Sequence, residues 1–116
     1  LGDGFRVDRF VEKPDRVTAE AFLADGGYDW NGGIFAFRAG AFLAELEAQR
    51  PEMARLARES ASGARNDGRV VHPALAPFAA IAGESVDYAV MEKTTRAAVV
   101  PAAMGWSDVG NWAALR

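Results

Sequence analysis

Three short strings of this chain place charged or amide side chains among apolar neighbours. They are Phe-Val-Glu-Lys-Pro at residues 10–14, Trp-Asn-Gly-Gly-Ile-Phe at residues 30–35 and Gly-Trp-Ser-Asp-Val-Gly at residues 105–110. A polar group in such surroundings loses solvation unless it meets another polar group or a ligand. The strings are therefore the first candidates for a functional site.

Glu12 and Lys13 place an acid beside a base at the end of a predicted strand. Neighbours on a strand point to opposite faces, so we expect each side chain to have its own partner. A carboxylate accepts hydrogen bonds from vicinal hydroxyls, and an ammonium is a compact counter-charge for phosphate. The alternative is that the two are simply exposed charged residues beside a turn.

Asn31 precedes Gly32 and Gly33 in an otherwise apolar run. A side-chain amide offers both donors and an acceptor, which suits sugar hydroxyls. The two glycines leave the backbone bare, so that a ligand can approach closely. A β-bulge in which Asn31 bonds its own backbone is the alternative.

Asp108 follows Trp106 and precedes Gly110. Its carboxylate could bind Mg²⁺, which commonly uses one or two carboxylates together with substrate phosphates. Trp106 would then supply a flat apolar wall for a sugar ring. The alternative is an aspartate that forms a turn through its own backbone bonds. Together the three strings predict one end of a sugar-phosphate site whose other end lies outside this sequence.

Tyr88 and Glu92 lie one turn apart on a predicted helix that Ser85 caps. They could line the same pocket. Equally, they could form a solvated edge beside a core face of Val86, Ala89 and Val90.

Composition limits the classes of function. The 116 residues carry a net charge of −3 and no cysteine, which argues against a nucleic-acid surface and excludes thiolate metal sites and disulfides. No apolar run approaches the ~20 residues that span a bilayer. The sequence has no P-loop, dinucleotide fingerprint or G-x-S-x-G motif. We expect a cytoplasmic protein that binds neither nucleic acid nor membrane.

Periodicity predicts strands that alternate with helices. Strands are expected from Phe5 to an end at Pro14, over residues 28–38 and over residues 97–100, the second buried on both faces. Helices are expected from Thr18 to Asp25-Gly26-Gly27 with Phe22 and Leu23 inward, over residues 42–50, from Pro51 with an inner face of Met53, Leu56 and Ala57, over residues 73–81 and after Ser85, with a flexible loop at residues 62–69. This order predicts an α/β fold with a parallel or mixed sheet and a ligand site beyond the carboxyl ends of its strands.

The strings, in this order, resemble those of bacterial mannose-1-phosphate guanylyltransferases, within the sugar-phosphate nucleotidyltransferase superfamily. The resemblance covers essentially the whole chain and includes a fourth string, Ser-Val-Asp-Tyr-Ala-Val-Met-Glu-Lys at residues 85–93. It implies a Rossmann-like, glycosyltransferase-A-like mixed sheet with flanking helices. The implied reaction joins GTP and mannose 1-phosphate into GDP-mannose and releases pyrophosphate, with Mg²⁺ as cofactor.

The resemblance also implies roles for single residues. Glu12, Asn31 and Gly32 would contact the sugar, and Trp106 would flank it. Lys13 would neutralise the attacking sugar phosphate, and Asp108 would bind the metal. The reaction needs positioning and charge compensation rather than a protein nucleophile.

The sequence departs from the family pattern in two ways. The glycine-rich nucleotide loop and a second metal-binding aspartate, which the family carries before the Glu-Lys-Pro string, do not occur in it. Gly32 and Asn111 stand where serine is frequent. We expect residues 1–116 to be the sugar-phosphate-binding, C-terminal portion of the catalytic domain, inactive alone and compatible with a homo-oligomer. The alternatives are a nucleotidyltransferase for another sugar 1-phosphate and a non-catalytic regulatory homologue that binds a sugar nucleotide.

Overall fold

The computed structural model describes residues 4–107 and 109–115 of the chain. In chain order its elements are β1 (Phe5–Arg6), α1 (Arg16–Asp25), α2 (Ala39–Gln49), α3 (Pro51–Ser62), β2 (Arg65–Asn66), β3 (Val71–His72), α4 (Leu75–Ala79), a π-helical turn (Asp87–Met91), β4 (Ala98–Val99) and a 3₁₀ turn (Trp112–Leu115). They belong to two compact units. The first comprises the described residues of Leu1–Asp8, Lys13–Ala36 and Arg96–Arg116, and the second comprises Arg9–Glu12 and Phe37–Thr95.

The first unit contains one small antiparallel sheet and helix α1. β1 pairs with β4, so that Phe5 lies opposite Val99. Val7 extends the pairing, because its N–H donates to the Ala97 carbonyl at 3.0 Å. The strand predicted from Phe5 to Pro14 is confirmed only at Phe5–Arg6.

Helix α1 begins one turn earlier than predicted. The Asp15 carboxylate accepts a hydrogen bond from the Thr18 N–H at 2.8 Å, so Asp15 is the N-cap and Thr18 lies inside the first turn. This bond from Thr18 lowers the pKa of Asp15. The predicted end is confirmed, since Gly26 adopts a φ of 74° and its N–H donates to the Phe22 carbonyl.

Of the two residues predicted to face inward from α1, only one is covered. Phe22 is half-buried and its ring stacks on Tyr28, with centroids 3.9 Å apart. Leu23 is 63% exposed, so its predicted inward position is wrong. Among the described residues α1 packs against no other helix or strand, which leaves Leu23 without a surface to cover it.

The second unit is helical, and its core lies between α2, α3 and the π-helical turn. Both predicted helix positions are confirmed, because α2 carries Leu46 inward and α3 begins at Pro51. The buried cluster consists of Leu46, Ala54, Ala89 and Val90, flanked by Phe42, Met53, Val86 and Met91. Of the predicted inner face of α3, Leu56 is buried, whereas Met53 and Ala57 are half-buried.

A hairpin replaces part of the predicted loop at residues 62–69. β2 and β3 pair antiparallel, with Arg65 opposite His72. Asp67 holds the intervening turn, because one carboxylate oxygen accepts from the N–H groups of Arg69 and Val70 and the other lies 3.1 Å from His72 Nε2. These backbone bonds, together with His72, lower the pKa of Asp67.

The predicted buried strand over residues 28–38 is wrong. The structure has no strand there, and Ile34 and Phe37 are 64% and 59% exposed. An apolar run becomes a strand buried on both faces only where other strands flank it and further layers cover it. In the described part of the first unit only β1 and β4 pair, so this run has neither.

The described residues form four α-helices and two small sheets, which is consistent with the predicted α/β class. Both strand pairs are antiparallel, and residues 4–107 and 109–115 contain no parallel pair. No helix in these residues is long and apolar enough to cross a membrane.

Candidate functional site

Glu12 and Lys13 lie in a turn rather than on the predicted strand. The half-buried Glu12 donates its backbone N–H to Glu92 Oε1 at 2.9 Å. Lys13 is exposed and adopts a φ of 49°, in the left-handed region. A non-glycine residue there costs about 1–2 kcal/mol. The alternation expected from a strand therefore does not apply to this pair.

Asn31 forms a local turn with Gly33. Its Oδ1 accepts the Gly33 N–H at 2.9 Å, and Gly33 has a φ of 68°. The alternative interpretation, in which Asn31 bonds the nearby backbone, is therefore correct for its side-chain oxygen. Residues 28–38 form no strand, so there is no β-bulge at this position. Across the described part of the chain no hydrogen bond involves Asn31 Nδ2, so two N–H groups remain for another partner.

Two of the strings meet in the first unit at Gly32 and Trp106. A Cβ built on Gly32 would lie 3.8 Å from Cζ3 of the Trp106 ring. That is an ordinary van der Waals distance, so the ring lies beside the bare backbone of Gly32. Trp106 is 53% exposed, which leaves ring surface for a further contact.

Asp108 lies outside the described residues, so its predicted role stays a prediction. The described residues hold no group of three or more His, Cys, Asp or Glu side chains that could bind a metal. Mg²⁺ commonly uses one or two carboxylates together with substrate phosphate oxygens, and the carboxylate of Asp108 fits that donor set. A depression of about 450 Å³ is lined by Val109, Gly110, Asn111 and Trp112.

Two further strings meet in the second unit. The predicted core face of the fourth string is confirmed, because Ala89 and Val90 are buried and Val86 packs against them. Tyr88 is 39% exposed and Glu92 is exposed. Glu92 nevertheless bonds the Glu12 N–H, 80 residues away in sequence. The helical spacing from Tyr88 made Glu92 a candidate site residue, but no pattern in the sequence predicts Glu12 as its partner.

A bidentate ion pair also lies in the second unit. Arg50, at the α2–α3 junction, donates from Nε and Nη2 to the two oxygens of Glu84, both at 2.6 Å. Each hydrogen bond favours the ionised form of its partner, so the pair raises the pKa of Arg50 and lowers that of Glu84. The side chains are 31% and 28% exposed, less than in the surface pair Arg16–Glu20 at 90% and 60%. Sequence reasoning missed this pair, because its members lie 34 residues apart.

The geometry thus joins Glu12 to Glu92 in one unit and Gly32 to Trp106 in the other. The family model for nucleotidyl transferases matches residues 1–116. The chain belongs to the nucleotidyl transferase family.

Curated relatives of this nucleotidyl transferase carry more specific names. It is 47% identical over 111 residues to mannose-1-phosphate guanylyltransferase of Escherichia coli K12, 46% identical over 109 residues to xanthan biosynthesis protein XanB of Xanthomonas campestris pv. campestris, and 44% identical over 110 residues to alginate biosynthesis protein AlgA of Pseudomonas aeruginosa. These alignments cover 94–96% of this chain. The resemblance to mannose-1-phosphate guanylyltransferases is confirmed.

The nucleotidyl transferase chain spans 23% of the length of each of these three relatives. No solved structure matches it significantly. The roles of Glu12, Lys13, Asn31, Gly32, Trp106 and Asp108 stay predictions.

Proposed function

We propose that the full-length protein is a sugar-1-phosphate nucleotidyltransferase that makes GDP-mannose and pyrophosphate from GTP and mannose 1-phosphate in the cytoplasm. The family membership supports the class of reaction, and the relative named mannose-1-phosphate guanylyltransferase supports the substrates. The structural observation that carries the proposal is the approach of Trp106 to the bare backbone of Gly32. The surface around this contact offers an exposed part of the Trp106 ring and the two N–H groups of Asn31 Nδ2.

We assign the sugar to this surface of the first unit. A pyranose ring has an apolar face, which can pack on Trp106, and hydroxyls at its rim, which can accept from Asn31 Nδ2. Gly32 carries no side chain that would hold the ring away. The predicted contact of the Glu12 carboxylate with vicinal hydroxyls is a separate part of the proposal, because Glu12 belongs to the second unit.

The reaction balances without a protein nucleophile. A phosphate oxygen of mannose 1-phosphate attacks the α-phosphorus of GTP in line, and the bond from that phosphorus to the bridging oxygen breaks as pyrophosphate leaves. The protein must hold two anions together, so its charge compensation decides the rate. Lys13 neutralises the sugar phosphate. Asp108 would hold Mg²⁺, which when bound spreads the negative charge of the phosphates.

A substrate profile of the full-length protein tests the proposal. Pyrophosphate release is measured with mannose 1-phosphate or glucose 1-phosphate as acceptor, each with GTP, ATP or UTP. We expect GTP with mannose 1-phosphate to give the highest kcat/KM. A preference for glucose 1-phosphate would favour a related enzyme for another sugar, and tight binding without turnover would favour a regulatory homologue.

A further inference from the structure

The strongest link between distant strings in the second unit is the bond from the Glu12 N–H to Glu92 Oε1, at 2.9 Å. Arg9–Glu12 is the only stretch of the first 36 residues that belongs to this unit. It forms no strand in the structure. A backbone N–H needs an acceptor, and Glu92 provides one from across the unit.

The position of Glu92 depends on an unusual helical turn. The Glu92 N–H donates to the Asp87 carbonyl at 2.9 Å, a bond between residues five apart. Such a π-helical turn carries one more residue than an α-helical turn, and each residue of an α-helix rotates the chain by about 100°. Regular helix over Asp87–Met91 would therefore point the next side chain in another direction.

Contacts on both sides hold this turn in place. Ala89 and Val90 are buried in the core of the unit. The Lys93 ammonium donates to the Tyr88 carbonyl at 2.9 Å, and Arg50 fixes Glu84 on the preceding side. The acceptor that meets the Glu12 N–H is thus carried by a packed element, although the Glu92 carboxylate itself is exposed.

The bonded N–H lies directly before the position where the chain turns. Lys13 has a φ of 49° and is the only non-glycine residue with positive φ in the described chain. A residue in this region persists only where its surroundings hold it, and such residues cluster at functional sites. The Glu92 bond is one contact that can hold the backbone before Lys13.

We propose that Glu92 is a positioning residue that fixes the Glu12–Lys13 turn through the Glu12 N–H and so sets where the two side chains meet the sugar phosphate. This inference rests on the function proposed above. Glu92 need not touch substrate. What it supplies is an acceptor oxygen, so a neutral side chain with an oxygen at the same place should serve.

Kinetics of the full-length protein test the effect on substrate binding. We expect Glu92→Ala to raise the KM for mannose 1-phosphate by about tenfold and to leave the KM for GTP within about twofold, because a misplaced binding group weakens one substrate. Glu92→Gln keeps an acceptor oxygen and should retain most of the activity. Glu59→Ala, which removes an exposed partner of Arg55 on α3, is the matched control and should behave as wild type.

Amide hydrogen exchange tests the contact without relying on turnover. Loss of the acceptor in Glu92→Ala should raise the exchange rate of the Glu12 amide by about fivefold or more, whereas Glu92→Gln and Glu59→Ala should leave it unchanged. Unchanged exchange in Glu92→Ala, or equal kinetic losses in the Ala and Gln variants, would overturn the inference. An inactive wild-type protein would overturn the proposed function, and the inference with it. An active wild type with an unaffected Glu92→Ala would overturn the inference alone.

Discussion

In the proposed site, the positive charge that neutralises the sugar phosphate comes from a single residue, Lys13. It is exposed, and its backbone is held in the left-handed region, so the ammonium is placed by a constrained turn rather than by burial. The Arg69 side chain offers a comparison, because it is an exposed cation in the β2–β3 hairpin. If Lys13 binds the sugar phosphate, removing its side chain should lower activity, whereas removing that of Arg69 should not.

We expect Lys13→Ala in the full-length protein to lower kcat/KM for mannose 1-phosphate by about 100-fold, the usual loss for a charge-assisted contact. Asp108→Ala should lower kcat by about 1,000-fold, because it removes a proposed metal ligand. Arg69→Ala is the control and should leave both constants unchanged. Steady-state kinetics at varied Mg²⁺ measure all three, and wild-type kinetics for the first two variants would contradict the assignment.

The two glycines after Asn31 differ in what they allow. Gly33 adopts a φ of 68°, whereas Gly32 does not have positive φ and has room for a methyl group 3.8 Å from the Trp106 ring. We expect Gly33→Ala to lower the free energy of unfolding by about 1–2 kcal/mol, the cost of a side chain in the left-handed region. Gly32→Ala should be close to neutral. Urea unfolding of both variants measures the difference, and equal effects would refute this explanation.

At the scale of the elements, arginine–glutamate ion pairs lie within and between elements of the second unit. Arg58 on α3 bonds Glu47 on α2 at 2.7 Å, Arg55 joins Glu52 and Glu59 along α3, and Arg50 bonds Glu84. In each of these three sets a hydrogen bond from arginine lowers the pKa of a glutamate: Glu47, Glu52 and Glu84. The pairs therefore make stability depend on pH.

The sign of that dependence follows from the direction of the shifts. A carboxylate whose pKa is lowered by folding stabilises the folded state above its ordinary pKa and loses this contribution as pH falls through the lowered value. We expect the melting temperature to be level near neutral pH and to decrease below about pH 4.3, the ordinary pKa of glutamate. Thermal unfolding at pH 3–7 measures it. A melting temperature that rises in acid would contradict the role of these pairs.

Arg50→Met tests the least exposed pair. It should lower the melting temperature at pH 7 and weaken the acid dependence, because Glu84 loses the partner that lowers its pKa. Arg16→Met is the control, because it removes the Arg16–Glu20 pair, which is more exposed than Arg50–Glu84. We expect a smaller change in the melting temperature from it.

At the scale of the whole molecule, large apolar side chains lie on the surface. Trp30, Ile34 and Phe37 are 73%, 64% and 59% exposed. Single exposed apolar residues are normal in proteins, so these exposures do not by themselves mark a site. The glycine-rich loop with basic residues that the resemblance implies for nucleotide binding does not occur in the 116 residues.

We therefore expect the isolated 116-residue chain to give no detectable GDP-mannose from GTP and mannose 1-phosphate. The full-length protein assayed in parallel is the positive control. GDP-mannose production by the isolated chain, checked by chromatography of the product, would show that the 116 residues hold a complete site.

Local features were predictable from the sequence because their causes lie within a few residues. The start of α3 at Pro51, the end of α1 at Gly26 and the core face of Val86, Ala89 and Val90 depend on backbone geometry and helical spacing. The start of α1 was missed because Asp15 and Thr18 both suit an N-cap, and only the bond to the Thr18 N–H distinguishes them. The strings that identify the family are local in the same sense.

Tertiary contacts decided the rest. The run at residues 28–38 has the composition of a buried strand, yet strand formation needs neighbouring strands, and none pairs with it in the described chain. The bonds from Glu12 to Glu92 and from Arg50 to Glu84 span 80 and 34 residues, and neither spacing carries a signal. Propensity and capping act over one or two turns, so the sequence alone was sufficient for the start of α3, the end of α1 and family membership. Partners that are distant along the chain meet only through packing, and for that reason the acceptor of the Glu12 N–H could be known only from the folded chain.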